Sequence, residues 1–236
     1  MKLSSKELKR QARQTLTGQY GLPMEAFVIS QFLTAAAYLP FQLFFQNNPD
    51  HTQMVLSLLA SLIISLLSAV MNCGLLSIHL NLARGKEAKL TDLFRYFTIR
   101  PDYPILAGLL LMGILFLLTL PAFLCTGIAF GADTALWYFL AAVIWIVTLF
   151  PLCYVNLSYG LLYYLLIEHP DGELRDMFRT SRCLMHGNKG RLLYITFSFA
   201  GMYFLCLLSL GIGFLWIVPY MTQTKTVFYR NIIQEI

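Results

Sequence analysis

The side chains able to do chemistry in this 236-residue chain are few and scattered. His51, His79, His169 and His186 have no carboxylate or cysteine partner at metal-ligand spacing, and Cys73, Cys125, Cys153, Cys183 and Cys206 occur singly. No pair therefore frames a zinc site or a redox couple. His-Glu-x-x-His, Gly-x-Ser-x-Gly and a phosphate-cradling Gly-x-x-x-x-Gly-Lys are all missing, as is an acidic cluster for a divalent metal. No strand precedes Gly211-Ile212-Gly213, which reads as a turn or a close helix contact and not as a dinucleotide loop. The expectation is a protein without catalytic residues, metal or cofactor.

Two polar groups remain as candidates. Asn72, His79 and Asn156 lie inside long apolar runs, accompanied by Gln31, Gln42 and Gln223 and, nearer one end, by Glu25 and Lys225. Polar groups in hydrocarbon are costly, so they either line a polar seam or hydrogen-bond helix to helix, and the second role is expected here, with His79 a buried packing residue. A mid-run Asp or Glu is lacking, which argues against a proton- or sodium-coupled carrier. The other group is Arg175, Arg179 and Arg182 with Lys189 and Arg191. Steps of four and three put the first three on one helical face beside an apolar stripe, where they can reach anionic headgroups or an acidic partner. The alternative is that these charges only enforce topology, since Glu173 and Asp176 partly neutralise them.

Composition says what must position these residues. With 58% hydrophobic and 12% charged residues and a mean hydropathy of +0.65, the chain lacks a water-facing surface. It reads as an integral membrane protein, not as a disordered chain, a disulfide scaffold or an ordinary soluble enzyme. A hydrocarbon core of about 30 Å takes about 20 helical residues to cross. Apolar runs of that length cover residues 22–45, 54–83, 105–125, 135–167 and 192–210, with Glu25 their lone charge. A sixth, 214–233, carries Lys225 and Arg230. With six spans, all 17 Lys and Arg lie on one side together with both termini, and segments 46–53 and 126–134, which hold none, lie on the other. The positive-inside rule makes the basic side cytoplasmic. Five spans would put Lys225 and Arg230 on the wrong side. The first apolar run starts late and is too long for a signal segment, so no cleaved leader is expected. The expected fold is all-α: a polytopic transmembrane bundle of six spans with amphipathic cytoplasmic helices, one membrane domain over residues 1–236.

Residues 1–20 read as an interfacial helix. Ser4 and Glu7 have capping-box spacing, Leu8, Ala12 and Leu16 recur every four residues, and Gly18 can close the helix in a left-handed conformation. In the cytoplasmic loops, Leu174, Met177, Phe178, Ser181, Leu184 and Met185 share one helical face, with Asp171 as cap and Gly187-Asn188 as stop. Residues 89–99 offer a shorter version built on Leu90, Leu93, Phe94 and Phe97. Leu90-Thr91-Asp92-Leu93-Phe94-Arg95 matches Leu174-Arg175-Asp176-Met177-Phe178-Arg179 at four positions, and each follows a Gly-Leu-Leu, at Gly74 and Gly160. Residues 54–125 and 135–210 are thus read as parallel internal repeats, with converged composition as the alternative. The segment 214–236 is the last span and tail.

A family resemblance rests on Leu8-Lys9 with Ala12-Arg13 and residues 18–21, on residues 181–189 (Ser-Arg-Cys-Leu-Met-His-Gly-Asn-Lys), and on Ser198-Phe199. It is most specific at residues 211–220 (Gly-Ile-Gly-Phe-Leu-Trp-Ile-Val-Pro-Tyr) followed by Phe228-Tyr229. These resemble a bacterial integral-membrane family, domain of unknown function nine-seven-five (DUF975), and the similarity covers nearly the whole chain. It departs at Gly190, where an aromatic residue is expected, and at Met202, where Trp is. The resemblance implies a multi-pass plasma-membrane protein with no established activity. The function read from all this is a non-enzymatic membrane component whose basic cytoplasmic face engages anionic lipid or a partner protein, with no role for nucleic acid. Two alternatives stand beside it: a permease-like subunit served by a separate ATPase, since residues 173–197 are laid out like the coupling loops of ATP-driven importers, and a lipid-modifying enzyme, which lacks a paired acid and base.

Overall fold

The computed structural model describes residues 3–44 and 51–234. Lys2 of the expected interfacial segment, residues 45–50 of the first expected span and outer segment, and residues 235–236 of the expected tail lie outside them. In chain order the helices are α1 (Ser5–Leu16), α2 (Gly21–Phe44), α3 (His51–Ala83), α4 (Arg95–Thr98, after a 3₁₀ turn at Leu90–Phe94), α5 (Asp102–Ala132) and α6 (Ala135–Ser158). They continue as α7 (Leu162–Glu168), α8 (Leu174–Met185), α9 (Lys189–Phe197), α10 (Ala200–Leu208) and α11 (Phe214–Ile233). Among the described residues there is no strand.

Five segments are long and apolar enough to cross a membrane: Gly21–Leu43, His51–Ala83, Asp102–Ala132, Ala135–Glu168 and Lys189–Leu208. α11, the expected sixth, is a continuous helix of 20 residues but is not among them. α5 runs about two turns past residue 125. Most of the expected 126–134 loop is therefore helix, and the chain reverses at Asp133, with φ +42, and Thr134. The 126–132 stretch holds neither charge nor proline, so nothing in it stops the hydrogen-bond ladder. α5 pairs with α6, and both present apolar side chains outward, Phe130 71% and Phe150 74% exposed.

α1 forms with half of the expected capping box: Ser4 Oγ accepts the Glu7 N–H at 3.3 Å while the Glu7 carboxylate pairs with Arg10, and Gly18 takes φ +83 beyond the helix end. Its stripe does not face lipid. Leu8, Ala12 and Leu16 are buried, and α1 packs on α11, α3 and α9. α8 behaves alike, burying Met177, Ser181, Leu184 and Met185 in the same core, where Leu161, Leu162, Phe199, Phe228 and Tyr229 also pack. Asp171 does not cap α8. Glu173 holds the extended N-cap position, and Asp171 faces Arg100 instead, at 3.9 Å. Gly187, at φ +79, ends this stretch as its sequence suggests.

The 89–99 stretch splits its apolar residues. Leu93 is fully buried against Met71, Leu75 and Ile78, whereas Phe94 and Phe97 stay exposed with ring centroids 6.4 Å apart. The matched hexapeptides differ in build, a 3₁₀ turn at Leu90–Phe94 against a full helix at Leu174–Met185. Leu93 can reach its place only because α3 has a glycine opposite: a Cβ on Gly74 would stand 2.0 Å from the Leu93 carbonyl oxygen. Gly74→Ala is expected to cost about 1–3 kcal/mol through this overpacking. Gly113→Ala, where nothing lies within 4 Å, is the matched control. Thermal unfolding of the two purified variants checks the contrast, and equal midpoints would remove the close contact from the account.

Candidate functional site

The arginine face of α8 comes from its period. Arg175, Arg179 and Arg182 fall on the side opposite Met177, Leu184 and Met185, and that buried side is pinned by Ser181 Oγ donating to the Ser158 carbonyl at 3.1 Å and by Phe178 standing edge-on to Tyr159 at 5.2 Å. The three exposed arginines, with Glu173, Asp176, Phe178 and Tyr159, frame a groove of about 530 Å³. Among the described residues, none of the three is in a salt bridge. Lys189 borders this region with its ammonium 3.4 Å from the Tyr154 ring centroid. Arg191 does not join it. Two positions further along α9 means a turn of about 200°, and its guanidinium points inward, donating to the Leu3 carbonyl at 2.8 Å and to Asn231 Oδ1 at 3.0 Å.

Other basic side chains are likewise tied to partners on the protein. Lys9 Nζ donates to the Ser198 carbonyl at 3.0 Å and lies 4.2 Å from the Phe199 ring centroid, and burial lowers its pKa from the ordinary lysine value. Arg84 pairs with Glu168, Arg100 donates to the Pro170 carbonyl at 2.6 Å, and Arg230 donates to the Ala83 carbonyl. These contacts gather α1, both basic loops and the close of α11 at one end of the bundle. The opposite end is held differently, by Trp145 Nε1 donating to Thr126 Oγ1 at 3.1 Å and Phe130 meeting Tyr138 edge-on at 6.0 Å.

Of the intramembrane candidates, His79 makes the expected interhelical bond. Its Nδ1–H donates to Gln223 Oε1 at 2.7 Å, with both side chains buried, while His79 Nε2 and Gln223 Nε2 have no hydrogen-bond partner among the described residues. Asn72 and Asn156 do not bond across helices as expected. Asn156 Nδ2 donates to the Leu152 carbonyl of its own helix at 2.9 Å, and both asparagines open onto a cavity of about 500 Å³ that Lys225 also lines. Gln31 and Gln42 are exposed on α2.

A second polar tie was missed in the sequence. Tyr229 Oη donates to Glu168 Oε2 at 2.6 Å, Tyr164 and Thr226 share a hydrogen bond of 3.0 Å, and the rings of Tyr164 and Tyr229 stack at 4.7 Å. Glu168 stands one residue beyond the drawn end of its span, and Tyr229 belongs to the Phe-Tyr pair of the family pattern, which were the available signals. Cys73, Cys125 and Cys206 are buried and Cys153 and Cys183 exposed, all with free thiols. Among the described residues, no group of three or more His, Cys, Asp or Glu could hold a metal ion.

A helical bundle with five apolar candidate spans, its basic loops folded onto one end, defines a polytopic membrane-type protein. The chain belongs to the family described as Protein of unknown function (DUF975), whose family model matches residues 1–235. No curated protein and no solved structure matches it.

The His79–Gln223 pair gives a direct test. Gln223→Leu is expected to cost about 1–2 kcal/mol by stranding the imidazole, in the range of interhelical bonds in membrane proteins. His79→Leu combined with Gln223→Leu should cost less than the two single changes summed. Strict additivity of the unfolding free energies would mean that the two side chains do not interact.

Proposed function

We propose that this protein is a non-enzymatic component of the bacterial plasma membrane whose α8 arginine face engages anionic headgroups of the inner leaflet. The observation that carries the reading is the contrast between arginines: Arg84 is paired with Glu168 and Arg191 and Arg230 donate to backbone carbonyls, while Arg175, Arg179 and Arg182 stand open around one groove without a salt bridge. A guanidinium without a carboxylate is a forked donor matched to phosphate oxygens. Anchoring the opposite face of α8 in the core holds the three forks in place, which lowers the ordering cost of binding. Glu173 and Asp176 in the same groove moderate the field, so binding is selective for strongly anionic surfaces and weakens with salt.

The orientation that goes with this reading has six spans, α11 being the sixth, with both termini and every Lys and Arg in the cytoplasm. Support comes from the contacts that gather the basic loops at one end. A cysteine introduced as Thr134→Cys is expected to react with an impermeant reagent added outside intact cells, and a tag placed after Ile236 is expected to be protected. An externally accessible tag would leave five spans.

Each cation near an anionic surface contributes about 1 kcal/mol, so replacing Arg175, Arg179 and Arg182 by Gln should weaken association with anionic vesicles by about two orders of magnitude at low salt. Flotation of the purified protein with such vesicles reads the effect. Unchanged flotation of a correctly inserted triple variant would reduce these charges to topology determinants, and loss of a co-purified acidic protein without loss of flotation would assign the face to a protein partner.

A further inference from the structure

The cavity of about 500 Å³ noted above is walled by α3, α5, α6, α7, α9 and α11. Leucines and tyrosines make half of its wall, and its other polar groups are Asn72, Cys153, Asn156, Thr196 and Lys225. Its charge is one-sided. Among the described residues that line it there is one cation and no carboxylate, and no salt bridge reaches Lys225. An ammonium held beside membrane-crossing helices is costly unless an anion or water meets it. Asn72, Cys153 and Asn156 are exposed although they belong to apolar candidate spans, so the cavity opens on the flank of the bundle. Apolar side chains close in sequence to the lining are exposed, Phe150 three residues before Cys153 and Phe197 next to Thr196.

We propose that this cavity binds one anionic phospholipid, with Lys225 meeting the phosphate oxygens and the acyl chains lying on the apolar flank. The remaining groups fit a phosphate that carries a hydroxylated head better than a bare carboxylate. The Asn72 amide adds a donor. Asn156 has given an N–H to the Leu152 carbonyl at 2.9 Å and Thr196 its hydroxyl hydrogen to the Leu192 carbonyl at 3.0 Å, which leaves both with oxygen lone pairs for headgroup hydroxyls. The site shares Tyr159 with the α8 groove but none of its arginines, and it stands independently of that reading.

The test uses the purified full-length protein in neutral detergent, titrated separately with phosphatidylglycerol, phosphatidylcholine and oleate and read by native mass spectrometry. One phosphatidylglycerol per chain is expected to bind saturably, about tenfold or more tighter than either of the others. Lys225→Met should lose about tenfold or more of that affinity, Lys225→Arg should keep most of it, and the α8 triple Gln variant should keep all of it, which separates this site from the arginine face. A second measurement needs no substitution: bound phosphatidylglycerol should slow alkylation of Cys153, in the lining, and leave Cys183, exposed outside it, unaffected. Equal binding of phosphatidylcholine, binding of oleate alone, undiminished affinity in Lys225→Met, or an unprotected Cys153 at saturating lipid would each overturn the proposal.

Discussion

Arg191 fixes how the two ends of the chain meet, because its guanidinium reaches the Leu3 carbonyl on one side and Asn231 on the other while the Leu3 N–H reaches the same Asn231 oxygen at 3.4 Å. With α1 seated between α9 and α11, Lys9 can answer the Ser198 carbonyl at the break between α9 and α10, and Tyr220 Oη can donate to the Lys9 carbonyl at 3.3 Å. The interruption at Ser198-Phe199 is thus stabilised by a helix some 190 positions earlier in the sequence. Lipid-facing helices gain little hydrophobic energy from touching one another. The large core accordingly forms at the charged end, where apolar side chains of α1, α7, α8 and α11 close on each other and leave water.

The period of a helix is local, and that is why α1 and α8 were legible with their stops, and α1 with its Ser4 cap, while the Asp171 cap expected for α8 and the surroundings of both helices were not. Leu8, Ala12 and Leu16 make the same stripe whether lipid or protein covers it. Nothing in the spacing distinguishes the two, and the structure puts them against protein. Charge is equally ambiguous: Arg182 and Arg191 belong to one basic cluster in the sequence, yet one is open and the other binds a backbone carbonyl. Span ends were misplaced where no residue forces an end, as at 126–132, and located well where a glycine or proline does. Gly211, at φ +89, is a turn, and the close contact foreseen for this motif appears at Gly213, where a Cβ would stand 3.0 Å from Cys206 Sγ.

The candidate site was half legible for the same reason. Asn72, His79 and Asn156 stood out because an amide or imidazole in an apolar run needs an account, but what each meets was beyond what spacing can pair. His79 finds Gln223 across 144 positions, while Asn72 and Asn156 share a cavity without touching across it. The Tyr229–Glu168–Arg84 tie was harder to read, because the signals at Glu168 and Tyr229 mark two positions without pairing them, and a charge at a span's end has an ordinary surface explanation.

α11 carries the remaining argument. It is not apolar enough to qualify as a span by composition, yet Gln223, Thr224, Thr226, Asn231 and most of its second half are buried. Hydropathy measures transfer into lipid, and a helix packed by α1, α2, α3, α9 and α10 meets side chains instead. Polar residues are tolerated there because neighbours answer them: His79 answers Gln223, Tyr164 answers Thr226, Glu168 answers Tyr229 and Arg191 answers Asn231. Lys225 has the same need and a full charge, and among the described residues no carboxylate meets it. The rule that accounts for its neighbours therefore directs its ammonium to an anion from outside the chain, at the opening where Asn72 and Asn156 already face the flank.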